Sequence, residues 1–287
     1  MRILVTGSNG QLGNEIRLLA KDYSQHQFFF TDVDELDIYD KNAVNAFVSL
    51  NKIEVILNCA AYTAVDKAEQ EEENAFKINA IAVGNLCEIA RPHKVFLLHV
   101  STDYVFDGNK TGAYLETDTT NPISVYAKSK RKGEEFILQY QIPSIIIRTS
   151  WLYSSFGSNF VKTILRLAAE KPQLNIVSDQ IGAPTYARDL ADAMLKIVSS
   201  GKLPTHPEIY HYANQGKISW FDFATAIIEL TNSKTPVYPI PAKDYPTPAT
   251  RPANSLFSLD KIKNDYNITI PDWKDSLRDC LEVLKGK

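Results

Sequence analysis

Three glycines, Gly7, Gly10 and Gly13, follow directly on the apolar run Arg2-Ile3-Leu4-Val5-Thr6 at the head of the chain. A run that short, ending in glycine, reads as a buried strand. Residues 14–22 behind the glycines read as a helix. Glycine permits the tight turn and lets backbone amides approach a pyrophosphate, and the helix N-terminus favours the negative charge. The spacing is G-x-x-G-x-x-G rather than the G-x-G-x-x-G of the common dinucleotide fingerprint. The strand–loop–helix setting therefore carries the expectation of a nucleotide site, with Gln11 and Leu12 among its residues.

The same alternation continues. Residues 27–32, 54–60, 95–100 and 144–148 read as strands, and 41–51, 65–91 and 125–139 as helices. Strands alternating with helices predict a mostly parallel sheet covered on both faces, an α/β, Rossmann-type doubly wound fold. The pattern weakens beyond about residue 150. A helix at 159–170, a strand at 174–177 and a helix at 188–199 follow. A proline-rich stretch at 236–252 reads as an ordered binding loop or connector, and a helix at 274–285 closes the chain. Residues 1–149 are thus expected to bind a dinucleotide. Residues 150–287 are expected to form a smaller α/β portion that mainly binds substrate, with part of 186–215 returning to the core.

Asp32 is placed at the end of the second strand, 32 − 13 = 19 residues after the last glycine. An acid about 20 residues on is the expected partner of a ribose 2′-hydroxyl. A carboxylate there repels a 2′-phosphate and favours NADH over NADPH, the alternative being a solvated loop aspartate. Asp37 and Ile38 are expected to border the adenine. Asn58-Cys59-Ala60-Ala61-Tyr62-Thr63 leaves the third strand at its carboxyl end, where open α/β sheets bind ligands. Ala61, Tyr62 and Thr63 are assigned to the cofactor. For Cys59 and Ala60, close approach of a cofactor and plain strand–helix packing stand as equal readings.

Tyr126 and Lys130 are four apart on a predicted helix and so share a face. A lysine cation beside a phenol stabilises the phenolate and is expected to lower the tyrosine pKa. Such a tyrosine can protonate a carbonyl oxygen while hydride arrives at carbon. The pair follows the strand ending at Ser101-Thr102 by about one loop, so the Thr102 or Ser101 hydroxyl could meet the same oxygen. The alternative is a lysine-rich surface helix, as Lys128, Arg131 and Lys132 suggest.

Several function classes are excluded. The net charge of −3 supplies no basic field for nucleic acid or an anionic membrane. No apolar run approaches the roughly 20 residues of a membrane helix. A leader peptide over the first strand would remove the glycine loop on cleavage, and its apolar run is too short. Cys59, Cys87 and Cys280 are far apart and odd in number, which points to a reducing, cytoplasmic setting. The five histidines show no paired metal spacing, and neither a nucleophile elbow nor a phosphate-binding Gly-Lys-Ser/Thr loop occurs.

These motifs resemble the extended short-chain dehydrogenase/reductases, and within them the dTDP-4-dehydrorhamnose reductase family. The resemblance covers essentially the whole chain. It is carried by Gly10-Gln11-Leu12-Gly13, Ala64-Val65-Asp66-Lys67-Ala68-Glu69, Ser101-Thr102-Asp103-Tyr104-Val105-Phe106, Arg148-Thr149-Ser150-Trp151, Asp179-Gln180-Ile181-Gly182-Ala183-Pro184-Thr185 and Arg251-Pro252-Ala253-Asn254-Ser255. It implies reduction of the 4-keto group of dTDP-4-dehydro-β-L-rhamnose by NADPH or NADH. It makes Tyr126 the proton donor, Lys130 its helper, Thr102 a catalytic hydroxyl that also touches substrate, and Asp103 a substrate neighbour. Trp151 would lie against the deoxysugar; without the resemblance it reads as a core aromatic. Arg251 meets either the substrate pyrophosphate or a loop carboxylate. Some relatives hold magnesium between subunits through glutamates. Glu15 matches one such position, but Arg188 stands where a second glutamate is expected, which speaks against a bound metal and that particular dimer. A monomer or homodimer is expected.

Two other readings remain. A related nucleotide-sugar epimerase or dehydratase shares the fold, but a dehydratase would place Asp-Glu after the catalytic threonine, where Asp103-Tyr104 stands. A non-catalytic NADP-binding regulatory subunit, resembling that of methionine adenosyltransferase, would not need Thr102, Tyr126 and Lys130 intact.

Overall fold

The structure, a computed structural model, describes residues 1–286. Six strands form the central sheet: β1 (Arg2–Thr6), β2 (Gln27–Phe30), β3 (Val55–Asn58), β4 (Phe96–Thr102), β5 (Ser144–Thr149) and β6 (Pro207–Tyr212). Their order is β6-β5-β4-β3-β1-β2 and every pair is parallel. The direction of winding reverses between β1 and β3, and a crevice outside the carboxyl ends of the strands opens at such a point.

Eight helices of nine or more residues accompany the sheet: α1 (Gln11–Leu19), α2 (Lys41–Leu50), α3 (Ala82–His93), α4 (Val125–Tyr140), α5 (Phe160–Glu170), α6 (Ala187–Ser199), α7 (Trp220–Leu230) and α8 (Trp273–Lys285). Strand periodicity divides the core in two. Ile3, Val5, Leu57 and Ile147 pack with Leu12 and Ile16 of α1 and with Leu190, Met194 and Ile197 of α6. Leu4, Ile56, Leu97 and Ile146 point the other way, onto Val44 and Val48 of α2, Leu86 of α3 and Ile137 of α4. Because both faces are covered, these strands are continuous apolar runs.

A third core lies outside the sheet. Tyr153, Val161, Ile164, Phe223, Ile227 and Leu277 join α5, α7 and α8. Two-residue strands stitch it to the rest: Leu152–Tyr153 beside Thr185–Tyr186, and Ile181–Gly182 beside Ile218–Ser219.

Several elements differ from the sequence reading. The second strand ends at Phe30, so Asp32 lies beyond it. The third is shorter than 54–60. The expected single helix over 65–91 is broken into Val65–Ala68, Glu72–Phe76, a π-turn at Lys77–Ile81, and α3. Asn79, in that π-turn, explains the break. Its amide receives the Tyr62 backbone N–H at 2.9 Å and donates to the Tyr62 carbonyl and the Ser129 hydroxyl, both at 3.0 Å. A π-turn re-aims a side chain that an α-turn would hold elsewhere. The proline-rich stretch contributes a real strand, Val237–Ile240, paired with Leu174–Val177. Strand β6 and helix α7 had no individual counterpart in the sequence reading.

Candidate active site

The crevice holds a cavity of about 620 Å³. Its walls come from the loops after β1 and β3, the ends of β4 and β5, the first turns of α4, and Trp151 and Trp220.

The glycine loop forms one wall. Gly7 has φ +63°, and a Cβ there would lie 2.6 Å from the Ala60 backbone nitrogen. A Cβ on Gly13 would lie 2.5 Å from the Cα of Ser8. The two glycines let the strand, loop and helix close on one another. Gly10 caps α1 without any side-chain hydrogen bond, so the first amides of the helix lack a built-in anion. This is the condition for binding an external one. Gly7, Gly10, Gln11, Leu12, Ala61 and Thr63 line the cavity.

Other residues assigned to the cofactor sit outside this lining. Gly13 is buried behind the loop. Asp32 accepts from the backbone of Asn9 and of Val33, both at 2.8 Å, and so sits at the edge of the glycine loop. Asp37 accepts from the Tyr39 amide, and Ile38 is buried. Tyr62 turns its hydroxyl to Glu71 at 2.9 Å.

The opposite wall carries the residues that the sequence marked as catalytic. Ser124 caps α4 through the Ala127 amide, which starts the helix so that Tyr126 and Lys130 face β4. Thr102 ends β4, accepts from the Tyr104 amide and donates to Asp103 at 2.9 Å. Thr102, Asp103, Tyr126 and Lys130 all line the cavity. Burial pushes the Tyr126 phenol up to about 12, the neighbouring Thr102 hydroxyl opposing and Asp103 adding to it. The expected lowering of this pKa by Lys130 is not found. The Lys130 ammonium is turned to the Val100 carbonyl, 2.7 Å away, and to His99 Nε2 at 3.4 Å. Burial holds Lys130 down at about 8, with Glu134 and Cys59 opposing. Tyr126 therefore carries its proton at neutral pH, the state a donor requires. Burial also lifts Asp103 to about 7, the neighbouring Ser255 and Thr102 hydroxyls opposing it.

Trp151 forms the third side. It adopts φ +47°, a backbone region uncommon for a bulky residue. Its ring stacks on Trp220 with centroids 3.7 Å apart, and Phe160 packs on Trp220 at 4.6 Å. A Cβ on Gly182 would stand 2.8 Å from the Trp151 ring, so glycine is what lets the indole lie over that strand. Trp220, half-buried, was not singled out from the sequence; a tryptophan directly after the Ser219 cap of a helix was the signal. Arg251 is held by Asp66 through two hydrogen bonds, at 3.1 and 2.8 Å, which is the loop ion pair of the two readings.

Magnesium does not fit the residues that the resemblance proposed for it. Glu15 is buried and accepts from the Ser154 hydroxyl at 2.5 Å, and Arg188 brings a positive charge. A dinucleotide does fit, because the glycine cradle has no room for a side chain and the first turn of α1 carries no side-chain cap.

Comparison with known proteins agrees in fold and length. The model of the RmlD substrate binding domain matches residues 1–285. The dTDP-4-dehydrorhamnose reductase of Aggregatibacter actinomycetemcomitans is 42% identical over 286 residues, covering 96% of this chain and 97% of that protein. The crystal structure of a dTDP-4-dehydrorhamnose reductase from Clostridium acetobutylicum superposes with a TM-score of 0.94 at 39% identity, covering 99% of this chain and 100% of the other. That of the Bacillus anthracis enzyme in complex with NADP gives 0.93 at 35% identity, covering 98% and 99%.

Proposed function

The chain belongs to the RmlD substrate-binding-domain family, and from that premise we propose that it reduces the 4-keto group of dTDP-4-dehydro-β-L-rhamnose to give dTDP-L-rhamnose, at the expense of NADPH or NADH. The observation that carries this reading is the convergence of Tyr126, Thr102 and Lys130 on the cavity that the open glycine loop also lines. The bound nicotinamide would supply the hydride.

The chain's own residues do the rest. Tyr126, protonated at neutral pH, donates its phenolic proton to the carbonyl oxygen as negative charge develops there. Thr102, beside it, would turn its hydroxyl from Asp103 toward that oxygen as a second donor. Lys130, one turn along α4 from Tyr126, keeps a positive charge below about pH 8 and would hold the cofactor and offset the negative charge that proton donation leaves in the cavity. Gly7, Gly10, Gln11, Leu12, Ala61 and Thr63 would hold the dinucleotide, with Gly13 allowing the loop to close. Asp32 would meet the adenosine ribose, and Asp37, Ile38 and Tyr62 would stand further along the same edge. Asp103 and Trp151 would contact the sugar, the stacked indoles offering a flat apolar platform.

The division into a cofactor portion over 1–149 and a substrate portion over 150–287 is part of the same reading. It is supported by the separate core of α5, α7 and α8, with α6 and β6 rejoining the sheet. A cytoplasmic location and a monomer or homodimer without nucleic-acid partners complete it. No helix among the described residues is long and apolar enough to cross a membrane.

The test is incubation of the purified protein with enzymatically generated dTDP-4-dehydro-β-L-rhamnose and each nicotinamide cofactor, with the product identified by NMR. Cofactor oxidation matched mole for mole by dTDP-L-rhamnose supports the reading. Absence of turnover with either cofactor on intact substrate contradicts it.

A further inference from the structure

His99 lies on β4 directly beneath the reacting groups and is fully buried. A buried imidazole at that place needs partners for both ring nitrogens. Nε2 meets the Lys130 ammonium at 3.4 Å, and Nδ1 meets the side-chain amide of Asn58 at 2.9 Å. The other end of that amide is 2.7 Å from the Thr6 hydroxyl. Thr6, Asn58, His99 and Lys130 are each at most 1% exposed. They make one continuous buried polar chain through the middle of the sheet, from the end of β1 to the helix α4.

We propose that His99 is a positioning residue for Lys130, holding the lysine nitrogen in its place beside the Val100 carbonyl at the cavity through this buried chain and matching its own tautomer to the lysine's charge. The proposal rests on the reading of Lys130 as part of the reductase site.

The hydrogen-bond arithmetic supports it. A charged lysine has three donors and no acceptor. The Val100 carbonyl takes one, His99 takes a second only if Nε2 is bare, and the third faces the cavity. A bare Nε2 puts the imidazole proton on Nδ1, which must then find an acceptor, so the Asn58 oxygen faces the ring and its nitrogen donates to Thr6. When Lys130 is neutral it can accept. Nε2 then carries the proton, Nδ1 accepts from the Asn58 nitrogen, and Thr6 donates to the Asn58 oxygen. The two patterns use the same heavy-atom positions and differ by turning one amide and one hydroxyl. A charged His99 fits neither, and burial together with the Lys130 charge holds its pKa well below the usual imidazole range.

The other titratable groups facing the pair do not compete. Cys59, at the end of β3, is pushed up to about 12 by burial and stays a thiol. Tyr126 stays a phenol. Glu134, one turn beyond Lys130, is held by Arg148 of β5 through hydrogen bonds of 2.9 and 2.8 Å.

Two experiments test the proposal. The first follows kcat/KM against pH for the wild type, His99→Phe and His99→Gln, with the cofactor KM measured alongside. Phenylalanine keeps a ring and offers no acceptor; glutamine returns an amide oxygen. His99→Phe is expected to lose at least about tenfold in kcat, with the cofactor KM within roughly threefold of wild type. Its Lys130 limb should move to lower pH by at least about half a unit, since the ammonium has lost an acceptor. His99→Gln should recover part of both changes. An unmoved limb in His99→Phe beside an inactive Lys130→Met overturns this proposal alone. Full activity of Lys130→Met overturns the lysine's role and this proposal with it. The second experiment needs no variant. In the unmodified protein, ring-labelled histidine is followed by nitrogen NMR from roughly pH 6 to 9. The His99 ring should stay neutral and exchange one tautomer for the other around the lysine midpoint, about 8. Protonation of His99 near the ordinary histidine value, or a tautomer indifferent to pH, overturns the proposal.

Discussion

Backbone builds one side of the cavity and aromatic side chains build another. At the glycine loop, chain meets chain: the nearest atoms to a Cβ on Gly7 or Gly13 are main-chain atoms of Ala60 and Ser8, under 3.0 Å away. Such a wall cannot yield without moving a strand. On the far side, Trp151, Trp220 and Phe160 are packed as a stack of rings. A wall of rings adjusts by rotamer and tolerates exchange at the cost of a contact. The difference suits two tasks. A pyrophosphate is read by fixed amides at a helix N-terminus, whereas a sugar ring is held by a flat surface whose contacts set affinity.

The proposed reacting groups lie between the two walls, and their loss should outweigh damage to either. Tyr126→Phe removes the proton donor while keeping the ring. It should lower kcat by at least about 100-fold with cofactor binding retained, as measured by turnover and by quenching of protein fluorescence. Near-normal turnover would remove Tyr126 from its role.

The backbone wall should break next. Gly13→Ala forces Ser8 and the loop apart, and should weaken cofactor binding by at least about tenfold, equivalent to about 1.4 kcal/mol. The aromatic wall should bend rather than break. Trp220→Ala leaves Trp151 without its partner, in an aromatic pair worth about 0.5–1.5 kcal/mol. The KM for the sugar nucleotide should rise by up to about tenfold with cofactor KM unchanged. If calorimetry showed Trp220→Ala hurting the cofactor and Gly13→Ala hurting only the sugar, the assignment of the two walls would be reversed.

A fourth effect falls on stability rather than on turnover. Asp103 has its folded pKa raised from 3.8 to about 7 by burial. Between those values the folded protein holds a proton that the unfolded chain has released, so this group's contribution to stability falls as pH rises. His99, buried and neutral, acts in the opposite sense below the ordinary histidine pKa, so the wild-type profile alone does not isolate Asp103. The difference between wild type and Asp103→Asn does. Denaturant unfolding should show the variant gaining on the wild type from about pH 4 to 7 and holding a constant difference above that. A difference independent of pH would place the Asp103 titration elsewhere.

The same division explains what could be read from the sequence. Gly7, Gly10, Tyr126 and Lys130 are legible because local rules place them: apolar runs mark strands, glycine follows a strand, and a spacing of four puts two side chains on one helix face. Trp220 and Gly182 are not, because each acts on a partner far along the chain, and no periodicity links residue 151 to 182 or 220. Strand β6 begins with a proline and carries Glu208 and His211, and its place beside β5 follows a long excursion through the third core. The break at Asn79 hides inside an apolar helical pattern, since only the approach of Tyr62 and Ser129 makes a π-turn worthwhile there. The charge state of the site was misread for a related reason. A lysine four residues from a tyrosine shares its face, but His99 and the Val100 carbonyl, on another element, take the ammonium.

The central claim is that hydride passes from a nicotinamide to C4 of the sugar within this cavity. Reduced cofactor deuterated at the transferring position, incubated with the protein and dTDP-4-dehydro-β-L-rhamnose, tests it most directly. The expected product is dTDP-L-rhamnose carrying one deuterium, at C4, with matching oxidation of the cofactor. A product without deuterium at C4, or cofactor recovered unoxidised while the sugar changes, would contradict it.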